Sequence, residues 1–231
     1  MVEFKSDITC HLVKVSAEDV DVTRSARVST LGAGSQDSET DRALIRYLMR
    51  SRHGSCFEHS FFSFYVEAPI FVFREHMRHR VGVSYSESSA RYRKLDPVFY
   101  IPATDRPLQQ VGKAGNYVFE SGTPQQVATA RNVIANHSLV AFEKYEQMLE
   151  AGIAREVARS VLPVNIYSQA YVSMNPRSMM HFLSLRSSQH GAYPSYAQHE
   201  ISLLADGYEA AFAHHMPITH GAYNDYGRVA P

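Results

Sequence analysis

The chain has 231 residues, 45% of them hydrophobic and 20% charged, with 23 Lys and Arg against 23 Asp and Glu. This length and composition suit one compact domain with a hydrophobic core and exclude disorder and fibrous repeats. A formal charge of zero argues against a dedicated nucleic-acid binder, which needs a broad excess of Lys and Arg.

The pattern along the chain is mixed α and β. A first helix is expected over about Glu39 to Ser51, from Ala43, Leu44, Tyr47 and Leu48, with His53-Gly54 as its stop. Phe62, Phe64 and Val66 alternate like a strand. Pro69 suits the first turn of a helix with the stripe Ile70, Phe73 and Met77, ending near Arg78-His79-Arg80. Ser84 to Arg93 reads as irregular and polar. Pro97 to Gly122, punctuated by three prolines and three glycines, reads as an ordered surface excursion or a mobile lid.

Thr123-Pro124 opens the longest helix, which runs to Leu149 or Glu150 and is ended by Ala151-Gly152. A short helix around Ile153 to Ser160 precedes a strand-like run from Val164, Ile166 and Tyr167 toward Met174. Asn175-Pro176 caps a helix through Leu185, and Pro194 opens a last helix to about His214.

Cys10 and Cys56 are the only cysteines, too few for a disulfide framework or a Cys-rich zinc site, and point to a reducing, cytoplasmic compartment. Met1 to Lys14 carries Glu3, Lys5 and Asp7 without a long apolar run, so neither a secretory signal nor a membrane role is expected. Metal binding is disfavoured: Arg74, Arg78 and Arg80 surround His76 and His79, and no H-E-x-x-H arrangement exists. Gly32-Ala33-Gly34 starts like a dinucleotide fingerprint but has Asp37 in place of the third glycine.

Chemistry concentrates between Arg74 and Lys94, where six basic residues face two acidic ones. With the hydroxyls of Ser84, Ser86, Ser88 and Ser89, this stretch is either a grip for a small phosphorylated molecule or a solvated basic face. Arg186 shares a helical stripe with Met179 and Phe182, which brings a guanidinium toward the core. Such a group needs an anionic ligand or an internal carboxylate. Arg177 and His181 occupy another face, and Arg159 adjoins the apolar Val161-Leu162-Pro163. The separated arginines read together as walls of an anion pocket. Competing readings are a nucleotide hydrolase or transferase without flavin, and a nucleic-acid module stacking bases on Tyr85 and Tyr92.

Arg78-His79-Arg80 followed by Ser84, Glu87, Ser89, Arg91 and Tyr92 resembles the hallmark stretch of flavin-dependent thymidylate synthases. Three further segments agree in order and spacing: His53 to His59, Ala158-Arg159 with Val161-Leu162-Pro163, and Asn175 through Arg186. The resemblance implies an α/β (α+β) fold with a central mixed or antiparallel sheet flanked by helices, one domain over residues 1–231, and a homotetramer whose active sites lie at subunit interfaces. It implies methylation of deoxyuridine monophosphate (dUMP) to thymidine monophosphate (dTMP). Methylenetetrahydrofolate gives the carbon, FAD the hydride and NADPH the reducing equivalents.

By the same resemblance, Glu75, His76, Met77, Arg78, Glu87, Ser88, Ser89, Ala90, Arg91, Arg159 and Arg186 meet the nucleotide, with main-chain N–H groups from Glu87 to Arg91 around its phosphate. His53, Ser55, Arg78, His79, Arg80, Glu87, Asn175, Arg177 and His181 meet FAD. Arg186 is the catalytic group, favouring ionisation at uracil N3. Family spacing selects Ser88 as the hallmark serine, whereas the Glu and Arg-Tyr landmarks select Ser89. Ser86 stands where many relatives carry Asn.

Overall fold

The computed structural model describes residues 1–32, 38–113 and 116–231. In chain order its elements begin with β1 (Glu3–Lys5), β2 (Thr9–Ser16), α1 (Asp19–Leu31), α2 (Ser38–Arg50), β3 (Phe61–Pro69), α3 (Ile70–His76) and β4 (Val83–Glu87). There follow β5 (Val98–Tyr100), β6 (Pro107–Lys113), β7 (Asn116–Ser121), α4 (Pro124–Glu150) and α5 (Arg155–Ala158). The chain closes with β8 (Tyr167–Met174), α6 (Pro176–Arg186), α7 (His199–His215) and α8 (Pro217–Asp225). One four-stranded sheet has the order β2-β3-β8-β4.

The described residues form two compact units. The first comprises Met1–Ile8, Glu67–Arg74 and Glu87–Ala170. Here β1 pairs in parallel with β5, and β6 with β7 as an antiparallel ribbon. Its core gathers Leu95, Phe99, Phe142, Tyr145, Ala158 and Ile166. The helix α4 starts where Thr123 and Gln126 cap each other: Gln126 N–H donates to Thr123 Oγ1 at 3.3 Å, and Thr123 N–H to Gln126 Oε1 at 2.8 Å.

The second unit comprises Thr9–Val66, Glu75–Ser86 and Tyr171–Pro231. Alternation along β3 buries Phe62, Phe64 and Val66 completely. Phe64 meets Tyr208 of α7 with ring centroids 4.5 Å apart, and Phe182 of α6 meets Tyr208 at 5.3 Å. The α6 helix begins at Asn175, whose Oδ1 accepts from Ser178 N–H at 2.8 Å, with Pro176 in the first turn.

Several expectations need correction. Ser84 to Glu87 is not irregular but belongs to β4, an edge strand whose outer flank tolerates serines. Pro97 to Gly122 is not a plain excursion, since it contains β5 and the β6–β7 ribbon. The last helix does not start at Pro194: α7 begins at His199, and α8 follows it after Met216. The strands β1 and β2 and the helix α1 carry no clear apolar period. The buried face of α1 is Val22, Thr23 and Arg27, and Arg27 donates to Asp41 at 2.6 Å. The fingerprint-like stretch from Ala33 to Asp37, and Gly115 of the expected excursion, lie outside the described residues. Among the described residues no helix is long and apolar enough to cross a membrane.

Candidate active site

In the first unit, the turn after β4 and the segment after α5 meet at a cavity of about 240 Å³. Glu87, Ser88, Ser89, Arg159 and Ser168 are its polar lining, and Ile70, Ala90, Leu95, Leu162 and Ile166 its apolar lining. The turn is tight because Tyr92 N–H donates to the Ser89 carbonyl at 3.0 Å and Arg91 N–H to Ser89 Oγ at 3.3 Å. Ser88 N–H donates to the Gln169 carbonyl at 2.8 Å, and Ser168 Oγ donates to Glu87 Oε1 at 2.6 Å. Ser88, Ser89 and Arg159, residue types that bind phosphate, thus line one small space beside a Glu87 carboxylate engaged by Ser168. Arg91 does not line it. Its Nε meets Glu156 Oε2 at 2.7 Å with both side chains more than half exposed, so the pair is weak and can open.

In the second unit, a larger cavity of about 450 Å³ gathers Arg78, His79, Arg80, Asn175, Arg177 and His181. The turn after α3 and the first two turns of α6 place them there. Glu58, Val81, Gly82, Val83, Ser178 and Leu185 complete the wall, none of them a sequence candidate. Glu58 sits in the His53 to His59 segment, which was the available signal. Gly82 stands at φ +65°, and a Cβ on it would lie 2.4 Å from Ser178 Oγ. The Gly82→Ala substitution is therefore expected to cost about 1–3 kcal/mol and to lower the thermal midpoint, read by circular dichroism. His53 and Ser55 do not line this cavity. His53 packs its ring against Tyr47 at 5.6 Å, and Ser55 is exposed in a 3-10 turn.

Arg186 has a carboxylate partner within this unit. Its Nη1 donates to Glu75 Oε1 and its Nε donates to His79 Nε2 at 3.1 Å. Burial, then the charge of Arg186, then His181 hold the His79 imidazole down at about 4. His79 is thus neutral near pH 7, with Nε2 as an acceptor. The third guanidinium nitrogen, Nη2, makes no hydrogen bond with the described protein groups. Burial, and then Arg177, likewise lower the pKa of His181.

His76 is fully buried, and its side chain cannot serve as a nucleotide contact. Its ring nitrogens bond the hydroxyls of Tyr85 at 2.8 Å and Tyr208 at 2.9 Å. The apolar period that placed Phe73 inside also places His76 inside, because two tyrosines satisfy it. Met77 beside it is half-buried.

The sequence model of the family described as thymidylate synthase complementing protein matches residues 11–218. A flavin-dependent thymidylate synthase of Streptomyces coelicolor is 52% identical over 236 residues, covering 100% of this chain and 96% of its own. One from Tropheryma whipplei is 53% identical over 233 residues, covering 99% and 97%. Among solved structures, a UMP/dUMP methylase, PolB, from Streptomyces cacaoi bound with 5-Br UMP has a TM-score of 0.93 and 47% identity, covering 100% of both chains. Its form bound with 5-Br dUMP has a TM-score of 0.94. With the family match running through both units and half of all residues shared with full-length relatives, the chain belongs to the flavin-dependent thymidylate synthases.

Proposed function

We propose that this chain methylates dUMP to dTMP, with methylenetetrahydrofolate as carbon donor, FAD as hydride carrier and NADPH as reductant, as one functional domain within a cytoplasmic homotetramer. The observation that carries the reading is the pair of cavities, each lined by guanidinium groups. The smaller has Arg159 with Ser88, Ser89 and Ser168, the last of which engages the Glu87 carboxylate, and the other, of cofactor size, has three arginines and two histidines.

The larger cavity fits a flavin dinucleotide on the chemistry of its donors. Arg78, Arg80 and Arg177 suit a pyrophosphate, and Asn175 and His181 add hydrogen bonds beside it. When bound, FAD would supply the hydride transfer, a redox step that amino-acid side chains do not carry out. Ser88, Ser89 and Arg159 hold the dUMP phosphate, and Arg91 joins them once its exposed pair with Glu156 opens. Glu87 is held in place by Ser168 and orders the turn. Arg186 is fixed by Glu75 and by neutral His79, which leaves Nη2 to face uracil and stabilise negative charge as the N3 proton leaves.

The test is formation of dTMP, followed by chromatography, in the presence of dUMP, methylenetetrahydrofolate, FAD and NADPH. Product is expected only when all four are supplied. Product without flavin, or none with the full set, would overturn the reading.

A further inference from the structure

We propose that the segment Gly227–Pro231, clamped by Arg52, is a positioning device for Arg177 and sets how tightly the larger cavity grips an anionic ligand. This rests on the flavin reading for the identity of that ligand.

Arg177 is held from three sides. Its Nε donates to the main-chain oxygen of Pro231 at 2.7 Å, and its Nη1 to Glu58 Oε1 at 2.5 Å. Gly54 lies flat against the guanidinium, since a Cβ there would stand 2.5 Å from Arg177 Cζ. Only Nη2 makes no hydrogen bond with the described protein groups, so the three contacts together aim that donor.

Pro231 belongs to no helix or strand, so its own position has to be fixed by side chains. Arg52 does this: its Nη1 donates to the carbonyls of Val229 at 2.9 Å and Ala230 at 3.0 Å. Arg52 adopts φ 61°, just past the end of α2, where glycine is the usual residue. Its two hydrogen bonds offset the strain that arginine brings to that backbone. At the other end, Ala192 N–H donates to the Gly227 carbonyl at 2.8 Å, and Arg228 is paired with Glu209 at 2.6 and 2.8 Å. Arg228, Ala230 and Pro231 are all buried. A continuous set of contacts thus runs from Arg52 through Val229–Pro231 to Arg177 and the cavity. Arg52 does not line that cavity and acts through Arg177, which makes it a positioning residue.

Arg52→Gly and Arg52→Asn remove the guanidinium while suiting a positive φ. FAD and riboflavin are titrated into each full-length variant and the wild type by flavin fluorescence, with apoprotein melting as a check on folding. FAD affinity is expected to fall about tenfold, the equivalent of about 1.4 kcal/mol, while affinity for riboflavin, which has no phosphate, stays within a factor of two. A chain ending at Arg228 is expected to show the same selective loss, and Arg52→Lys to recover part of it. Equal weakening of both ligands, or unchanged FAD affinity in variants of a protein that does bind FAD, would overturn the positioning role. A folded wild type that takes up no FAD would instead overturn the flavin reading on which it rests.

Discussion

Arg186→Lys is expected to lower the rate of dTMP formation by roughly 10²–10³-fold at saturating substrates, in the range found for removing one preorganised donor, with FAD still bound. The guanidinium does three things in three directions: Nη1 on Glu75, Nε on His79, and Nη2 left for the substrate. An ammonium is a point charge, so a lysine that keeps the Glu75 contact loses both the His79 contact and the outward donor. Flavin affinity is spared because Arg186 does not line the 450 Å³ cavity. Initial rates by chromatography and flavin absorbance after gel filtration separate the two effects. A variant turning over within a factor of three of wild type would remove Arg186 from the chemistry. The node also has a pH limit. The folded-state pKa of His79, about 4, lies below its ordinary 6.5, so its stabilising contribution is complete above about 6.5 and is lost as pH falls through about 4.

Elements that carry their own caps are legible in the sequence. The α4 helix closes its capping box within Thr123–Gln126, and α6 is capped within Asn175–Ser178, so a local window contains the whole signal. The start of α8 is different. The N–H groups of Ile218 and Thr219 donate to the Asp19 carboxylate, both at 2.8 Å, and no local reading finds a partner about 200 positions away. The buried face of α1 hides for a related reason: Arg27 goes inside because Asp41 meets it, which breaks the apolar period. The candidate site divides in the same way. Ser88, Ser89 and Arg159 follow from spacing and resemblance, and the structure brings them to one cavity. The apolar stripe shows that Arg186 turns inward. Whether a ligand or a carboxylate receives it depends on Glu75, which lies on another helix.

Arg228→Met is expected to destabilise the protein by about 3–5 kcal/mol, the cost of leaving a buried carboxylate without its cation. Arg228 and Glu209 are 6% and 7% exposed, and the guanidinium also donates to Asn224 Oδ1 at 2.6 Å, Gln189 Oε1 at 3.2 Å and Ser187 Oγ at 3.3 Å. Burial opposes ionisation of Glu209, but hydrogen bonds from Arg228 and His220 outweigh it and bring the carboxyl from 4.5 down to about 2. A depressed carboxyl stabilises the fold above its unfolded pKa, so this contribution is complete above about 4.5 and is lost as pH falls through about 2. In Arg228→Met burial acts on Glu209 with only His220 to oppose it. The gap in melting temperature between variant and wild type should therefore be widest near neutral pH, roughly 10 °C for a chain of this size, and should narrow on acidification. Adding Glu209→Gln to Arg228→Met removes the orphaned charge and should recover much of the loss. A gap that stays constant from pH 7 to pH 3 would show that the methionine variant suffers from lost packing over Tyr223, 5.1 Å from the guanidinium, and not from an unpaired charge.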